Sequence, residues 1–113
     1  MNHAAFVVHE LVHAVDYVVR DMDLRSCKML ACSEIRAARA SECSRQYLSA
    51  AERMLMSLDV FRSTSYQYGC VQEQAIRATE AIFPPTEAKS CVLEMMQKCY
   101  ADTVGLDVDK ATS

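Results

Sequence analysis

The sequence predicts an all-α chain of about four helices held together by disulfide staples. Composition, helical spacing of apolar residues and a set of cysteines carry that reading. Of 113 residues only 2 are Gly and 2 are Pro, and Trp is absent. Ala, Met, Leu, Glu, Arg and Gln are plentiful, and these residues lose little freedom in a helix. No segment reads as a strand. Cysteines number 6, an even count that in a short chain points to disulfides and an oxidising compartment.

Residues 4–20 read as a helix apolar on most sides, hence largely buried. Asp21, Asp23 and Arg25 mark a polar break. A second helix is expected to open between Cys27 and Met29 and run through Ala38. It weakens near Ser41 and resumes to about Leu58. Ser63 to Gly69 reads as a loop. A third helix covers about Cys70 to Ile82 and is ended by Pro84-Pro85, since proline lacks a donor and restricts its predecessor. Thr86 is the expected N-cap of a fourth helix, Glu87 to Tyr100. Residues 1–107 are thus expected to form one domain, and 108–113 a frayed tail.

Net charge is −3 with both signs interspersed, which gives no basic footprint for nucleic acid. No apolar run reaches the roughly 18–20 residues of a membrane span. Ala4 to Val19 comes nearest, but His9, Glu10, His13 and Asp16 interrupt it. It also makes a poor signal peptide, having neither a basic leader nor a clear cleavage site. The disulfide candidates are Cys27, Cys32, Cys43, Cys70, Cys91 and Cys99, with connectivity open. The absence of any Cys-x-x-Cys pair disfavours a cysteine-based zinc site. Free buried thiols are the plain alternative.

His9-Glu10-Leu11-Val12-His13 carries the chemistry. Four residues apart on a helix, two imidazoles share one face and can bind one zinc ion. The intervening Glu10 is placed to act as a base toward an activated water. A chance match on an ordinary helix is the competing reading. It is weakened because a buried helix rarely carries two His and a Glu without partners. Zinc needs a third protein ligand. Glu34 is the favoured candidate and Asp16 the alternative; Asp16 could instead orient an imidazole. His3 is a weaker candidate. Arg36 stands where it can orient either carboxylate, or serve as an ordinary charge.

With these residues in view, His9-Glu10-Leu11-Val12-His13-Ala14-x-Asp16 resembles the signature of the mitochondrial inner-membrane metalloproteases that process an ATP synthase subunit. The block Ala31-Cys32-Ser33-Glu34-Ile35-Arg36-Ala37 is similar to that family's second block at the same spacing. Cys43 after Ser41-Glu42, Cys70 before Val71, and Cys99 before Tyr100-Ala101-Asp102-Thr103 lie in similar settings. The likeness runs from about Val8 to Asp107.

The resemblance implies a gluzincin-like zinc metalloendopeptidase in which His9, His13 and Glu34 bind zinc and Glu10 is the catalytic base. It implies a place in the mitochondrial intermembrane space, peripheral to the inner membrane, and cysteines oxidised on import. The implied substrate is the N-terminal presequence of an ATP synthase membrane-sector subunit, whose assembly the protein also aids. Only eight residues precede His9, so the chain is expected to be the helical part of a zincin-like domain lacking its N-terminal sheet. Ala40-Ser41, Gln72-Glu73-Gln74 and Pro84-Pro85 depart from the family pattern. Cys27 and Cys91 have no family counterpart and are expected to pair with each other. The alternative function is a non-catalytic assembly chaperone for the ATP synthase membrane sector, with Met54, Met56, Met95 and Met96 offering an adaptable apolar surface.

Overall fold

The computed structural model describes residues 3–44, 47, 50, 51, 54 and 60–104. Four α-helices have described bounds, α1 (His3–Ala14), α2 (Cys27–Ala40), α3 (Val60–Glu80) and α4 (Pro85–Tyr100), and no strand occurs among the described residues. A π-helical turn, Val15–Val19, continues α1. The all-α expectation holds.

α2 is the central element, and α1, α3 and α4 all pack on it. Every residue from Leu30 to Ala38 is buried. Ala31, Ile35 and Ala38 meet Val71 and Ala75 of α3 and Val92, Met95 and Met96 of α4 in one core. Small alanines let the helix axes approach, and Ile35 fills the space between them. Met95 and Met96 are core residues and are not available as a binding surface.

α1 departs from expectation in burial. Ala5, Val12 and Asp16 form its buried stripe. Phe6, Val7, Leu11, Tyr17, Val18 and Val19 are exposed, Leu11 by 57% and Val18 by 73%. The helix packs on α2 along one face and leaves its other apolar face uncovered. At its end Asp21 adopts a φ of 55°, a left-handed conformation that Asp tolerates better than most residues. The chain there turns toward α2.

Two boundaries are corrected. Residues 63–69, expected as a loop, lie within α3. Ser63-Thr64-Ser65 favours turns locally, but tertiary contacts override that preference. The Gln67 side chain donates to the Cys43 carbonyl at 3.2 Å and accepts from the Tyr100 hydroxyl at 3.2 Å. Helix α4 starts earlier than expected. Its N-cap is Pro84, not Thr86, with Pro85 in the first turn. Proline suits that place because its fixed φ is helical and the N–H it lacks would have no partner. The Pro84 carbonyl accepts the Ala88 N–H at 2.8 Å. The expected resumption of helix up to Leu58 and the tail from Gly105 fall largely or wholly outside the described residues.

Three disulfides bind the bundle: Cys27–Cys91, Cys32–Cys99 and Cys43–Cys70. The first two join α2 to α4, and the third joins the turn after α2 to α3. The expected Cys27–Cys91 pair is present. No cysteine is free, so the cysteine-zinc and free-thiol readings fall. The bridges span 64, 67 and 27 residues. By loop-closure entropy each is worth about 3–5 kcal/mol, not additively. That matters for a core of this size. No helix among the described residues is long and apolar enough to cross a membrane.

Candidate metal centre

The site forms where α1 crosses α2. His9 and His13 stand one turn apart on the α1 face that carries Val12 and Asp16, so burial of that stripe aims both imidazoles at α2. Opposite them α2 presents Glu34, itself buried. Nε2 of His9 lies 3.0 Å from Nε2 of His13, and Glu34 Oε1 lies 3.2 Å and 2.9 Å from the two nitrogens. The three atoms make a nearly equilateral triangle.

The triangle tests the fit of a metal ion. Bonds of about 2.0–2.1 Å in a tetrahedral zinc site put neighbouring ligand atoms roughly 3.3 Å apart. The observed edges fall just inside that value. Glu34 Oε1 is buried and carries no well-directed hydrogen bond despite both nearby nitrogens. A buried acceptor this close to two imidazole nitrogens, yet without a hydrogen bond, suits a cation placed between them. Two imidazoles and one carboxylate are also the donor set of a catalytic zinc site, with room for a fourth ligand. Among the described residues, these three form the one cluster suited to a metal ion. The histidine side chains stay 15% and 20% exposed, so the site is open on one side.

Charge in the site favours a cation. Burial pushes the Glu34 carboxyl up, but the His13 and His9 imidazoles outweigh it and hold it down at about 2. Contact with Glu34, then with Glu42, raises His9 to about 10 against the opposing effect of burial. A proton is thus drawn to the place where a metal's charge would be compensated.

Outer contacts hold both rings. His13 Nδ1 lies 2.8 Å from Ser33 Oγ, and His9 Nδ1 lies 2.8 Å from Glu42 Oε1. Ser33 sits beside Glu34, and Glu42 in the turn leaving α2. Sequence reasoning assigned neither a role. Their signal was a place inside the matched block for Ser33 and beside Cys43 for Glu42, too slight to separate them from other polar residues.

Asp16 does not face this cluster. Its carboxylate is fully buried against Arg36, with Arg36 Nε 3.1 Å from both oxygens and an Nη atom 2.9 Å from Oδ1. Arg36 also donates to the Asp102 carbonyl at 2.9 Å and the Val104 carbonyl at 2.6 Å, and pairs with the Asp102 carboxylate at 3.0 Å. Arg20 closes the network, 2.7 Å from Asp102 Oδ2. Arg36 is therefore a buried structural charge that orients Asp16, and it does not touch Glu34. Glu10 lies exposed on α1, next to His9 in the chain, and His3 is exposed at the start of that helix.

An open cluster of two histidines and a glutamate across two helices, on a His-Glu-x-x-His frame, defines the class of a metallopeptidase-like site. The chain matches the Peptidase M76 family over residues 1–107, and it belongs to that family. It is 31% identical over 105 residues to the mitochondrial inner membrane protease atp23 of Botryotinia fuckeliana, covering 89% of this chain and 41% of that protein. Its likeness to the protein of the same name from Sclerotinia sclerotiorum has the same extent. It is 33% identical over 100 residues to the mitochondrial inner membrane protease ATP23 homolog of Danio rerio, covering 85% of this chain and 37% of that one. The chain therefore spans about two-fifths of the length of these curated relatives. No solved structure matches.

Proposed function

We propose that the chain is a zinc metalloendopeptidase in which His9, His13 and Glu34 hold the ion and Glu10 is the catalytic base. The carrying observation is the triangle of Nε2, Nε2 and Oε1 atoms with edges of 2.9–3.2 Å. Asp16 is a poor third ligand because both its oxygens face Arg36. A bound zinc ion supplies Lewis acidity, which acidifies water and polarises a carbonyl. The chain's own residues do the rest. His9 and His13 donate lone pairs and keep Nδ1 hydrogens turned to their outer partners. Glu34 brings the negative charge that suits a divalent cation. Glu10, on the solvent side, takes a proton from the attacking water and returns it to the leaving amine.

The family and the relatives' names support a mitochondrial setting. The proposed substrate is the N-terminal presequence of an ATP synthase membrane-sector subunit, met in the intermembrane space at the surface of the inner membrane. The test uses metal analysis and a presequence peptide. One zinc per chain is expected, lost in His9→Ala or His13→Ala. Glu10→Gln should keep the zinc and abolish cleavage. Undiminished cleavage by Glu10→Gln would overturn the mechanism.

A second reading, a non-catalytic assembly chaperone for the same subunit, is favoured by the uncovered apolar face of α1 around Phe6, Val7 and Leu11. Such patches mark contact surfaces. In cells lacking the native protein, Glu10→Gln supporting normal ATP synthase assembly would favour this reading. Failure of that variant to do so would favour the peptidase.

A further inference from the structure

Glu42 lies outside the candidate ligand set, yet among the described residues its Oε1 is the nearest polar neighbour of His9 Nδ1, at 2.8 Å. Its other oxygen contacts Ser41 Oγ. That hydroxyl is fixed in turn, 2.6 Å from the Ala37 carbonyl at the end of α2. The turn bearing Glu42 is pinned on both sides. Ser41 N–H donates to the Ala37 and Ala38 carbonyls at 3.0 and 3.3 Å, and Cys43 N–H to Ala38 at 2.9 Å. Cys43 is then bonded to Cys70 on α3. A carboxylate held this way can impose a direction on a ring, whereas a freely rotating one cannot.

The imidazole has two nitrogens and one task for each. If Nε2 offers its lone pair to a metal, Nδ1 must carry the hydrogen, and a carboxylate 2.8 Å away is its natural acceptor. Such a partner fixes tautomer and ring plane and makes the ligand nitrogen more basic. Among the described residues, His13 has the Ser33 hydroxyl in the equivalent place. The two histidines are therefore unlike in kind, one backed by a charge and one by a neutral group.

We propose that Glu42 is the positioning residue of the metal centre, holding His9 as the Nδ1–H tautomer with Nε2 turned toward His13 and Glu34. This rests on the metal-centre reading given above. The test titrates zinc into the oxidised, metal-free full chain against a chromophoric chelator. Glu42→Ala should weaken zinc binding by about 10–100-fold, and Glu42→Gln, which keeps an acceptor without the charge, by about tenfold. The far-UV circular dichroism of the metal-free Glu42→Gln chain should match the parent, which separates positioning from folding. In the zinc-loaded parent the His9 Nδ1–H should give a slowly exchanging proton resonance, and it should be lost from Glu42→Ala. Where Glu42→Ala disturbs the metal-free fold, Glu42→Gln alone decides. Affinity within twofold of the parent in Glu42→Gln, with zinc still lost in His9→Ala, overturns the proposal and leaves the centre standing. A parent chain that takes up no zinc overturns both.

Discussion

Removing the Asp16 carboxylate would strand Arg36, which is fully buried, without its closest counter-charge. Losing one partner of a buried pair costs about 3–5 kcal/mol. Asp16→Ala should therefore lower the stability of the metal-free, oxidised chain by about that amount, read from urea unfolding. Asp102, on the other side of Arg36, responds to pH. Burial pushes its carboxyl up, but the Arg20 hydrogen bond, the Val104 N–H and the charges of Arg36 and Arg20 outweigh it and hold it below the usual carboxylate range. The folded state then binds this proton less readily than the unfolded one. Its contribution is present above the unfolded carboxylate pKa and lost as pH falls through the folded one. Thermal melts should fall on acidification, and Asp102→Asn should flatten that fall. Motif spacing named His9, Glu10 and His13 on one helix, and the distance to the following helix made Glu34 the favoured third ligand. It kept Asp16 as the alternative, because Asp16 shares the face of both histidines. What separates them is Arg36, twenty residues beyond Asp16, and such a contact has no local signature.

Among the helices, the pattern was clearest where one face is buried and faintest where neighbours decide. α2 and α4 were legible from their apolar spacing and cysteines. The first half of α3 was not, because Ser63-Thr64-Ser65 carries turn chemistry and the contacts of Gln67 with Cys43 and Tyr100 lie far away in sequence. Gly69 offers a direct check on that stretch. It lies inside α3, and a Cβ built there would meet nothing within 4 Å. Gly69→Ala should raise stability by about 0.5–1 kcal/mol, since Ala gains helix preference with no clash. A loss of stability would mean the segment is not helical. At the centre, Ile35 is completely buried, so Ile35→Ala should cost about 2–5 kcal/mol in the same assay. The burial of α1 was overestimated because an apolar sequence says which residues seek cover and not whether a neighbour supplies it.

For the whole molecule, the disulfides divide the chain unequally. All three tie α2 or the turn after it to α3 or α4. Helix α1 contains no cysteine; it is held by its narrow stripe on α2 and by the Asp16–Arg36 pair. The three-helix part is closed by covalent bonds, while the helix carrying both histidines is docked onto it. The triangle of His9, His13 and Glu34 straddles that seam, with two corners on α1 and one on α2. An ion at its centre would act as a fourth cross-link, made of coordination bonds and released by chelation, whereas the cystines open by reduction. Hydrogen exchange should then report two tiers. Chelation should speed exchange of α1 amides by the factor that zinc contributes to docking, and leave those of Leu30 to Ala38 near their former rates. The metal would set the working part of the molecule in place and leave the rest to stand without it.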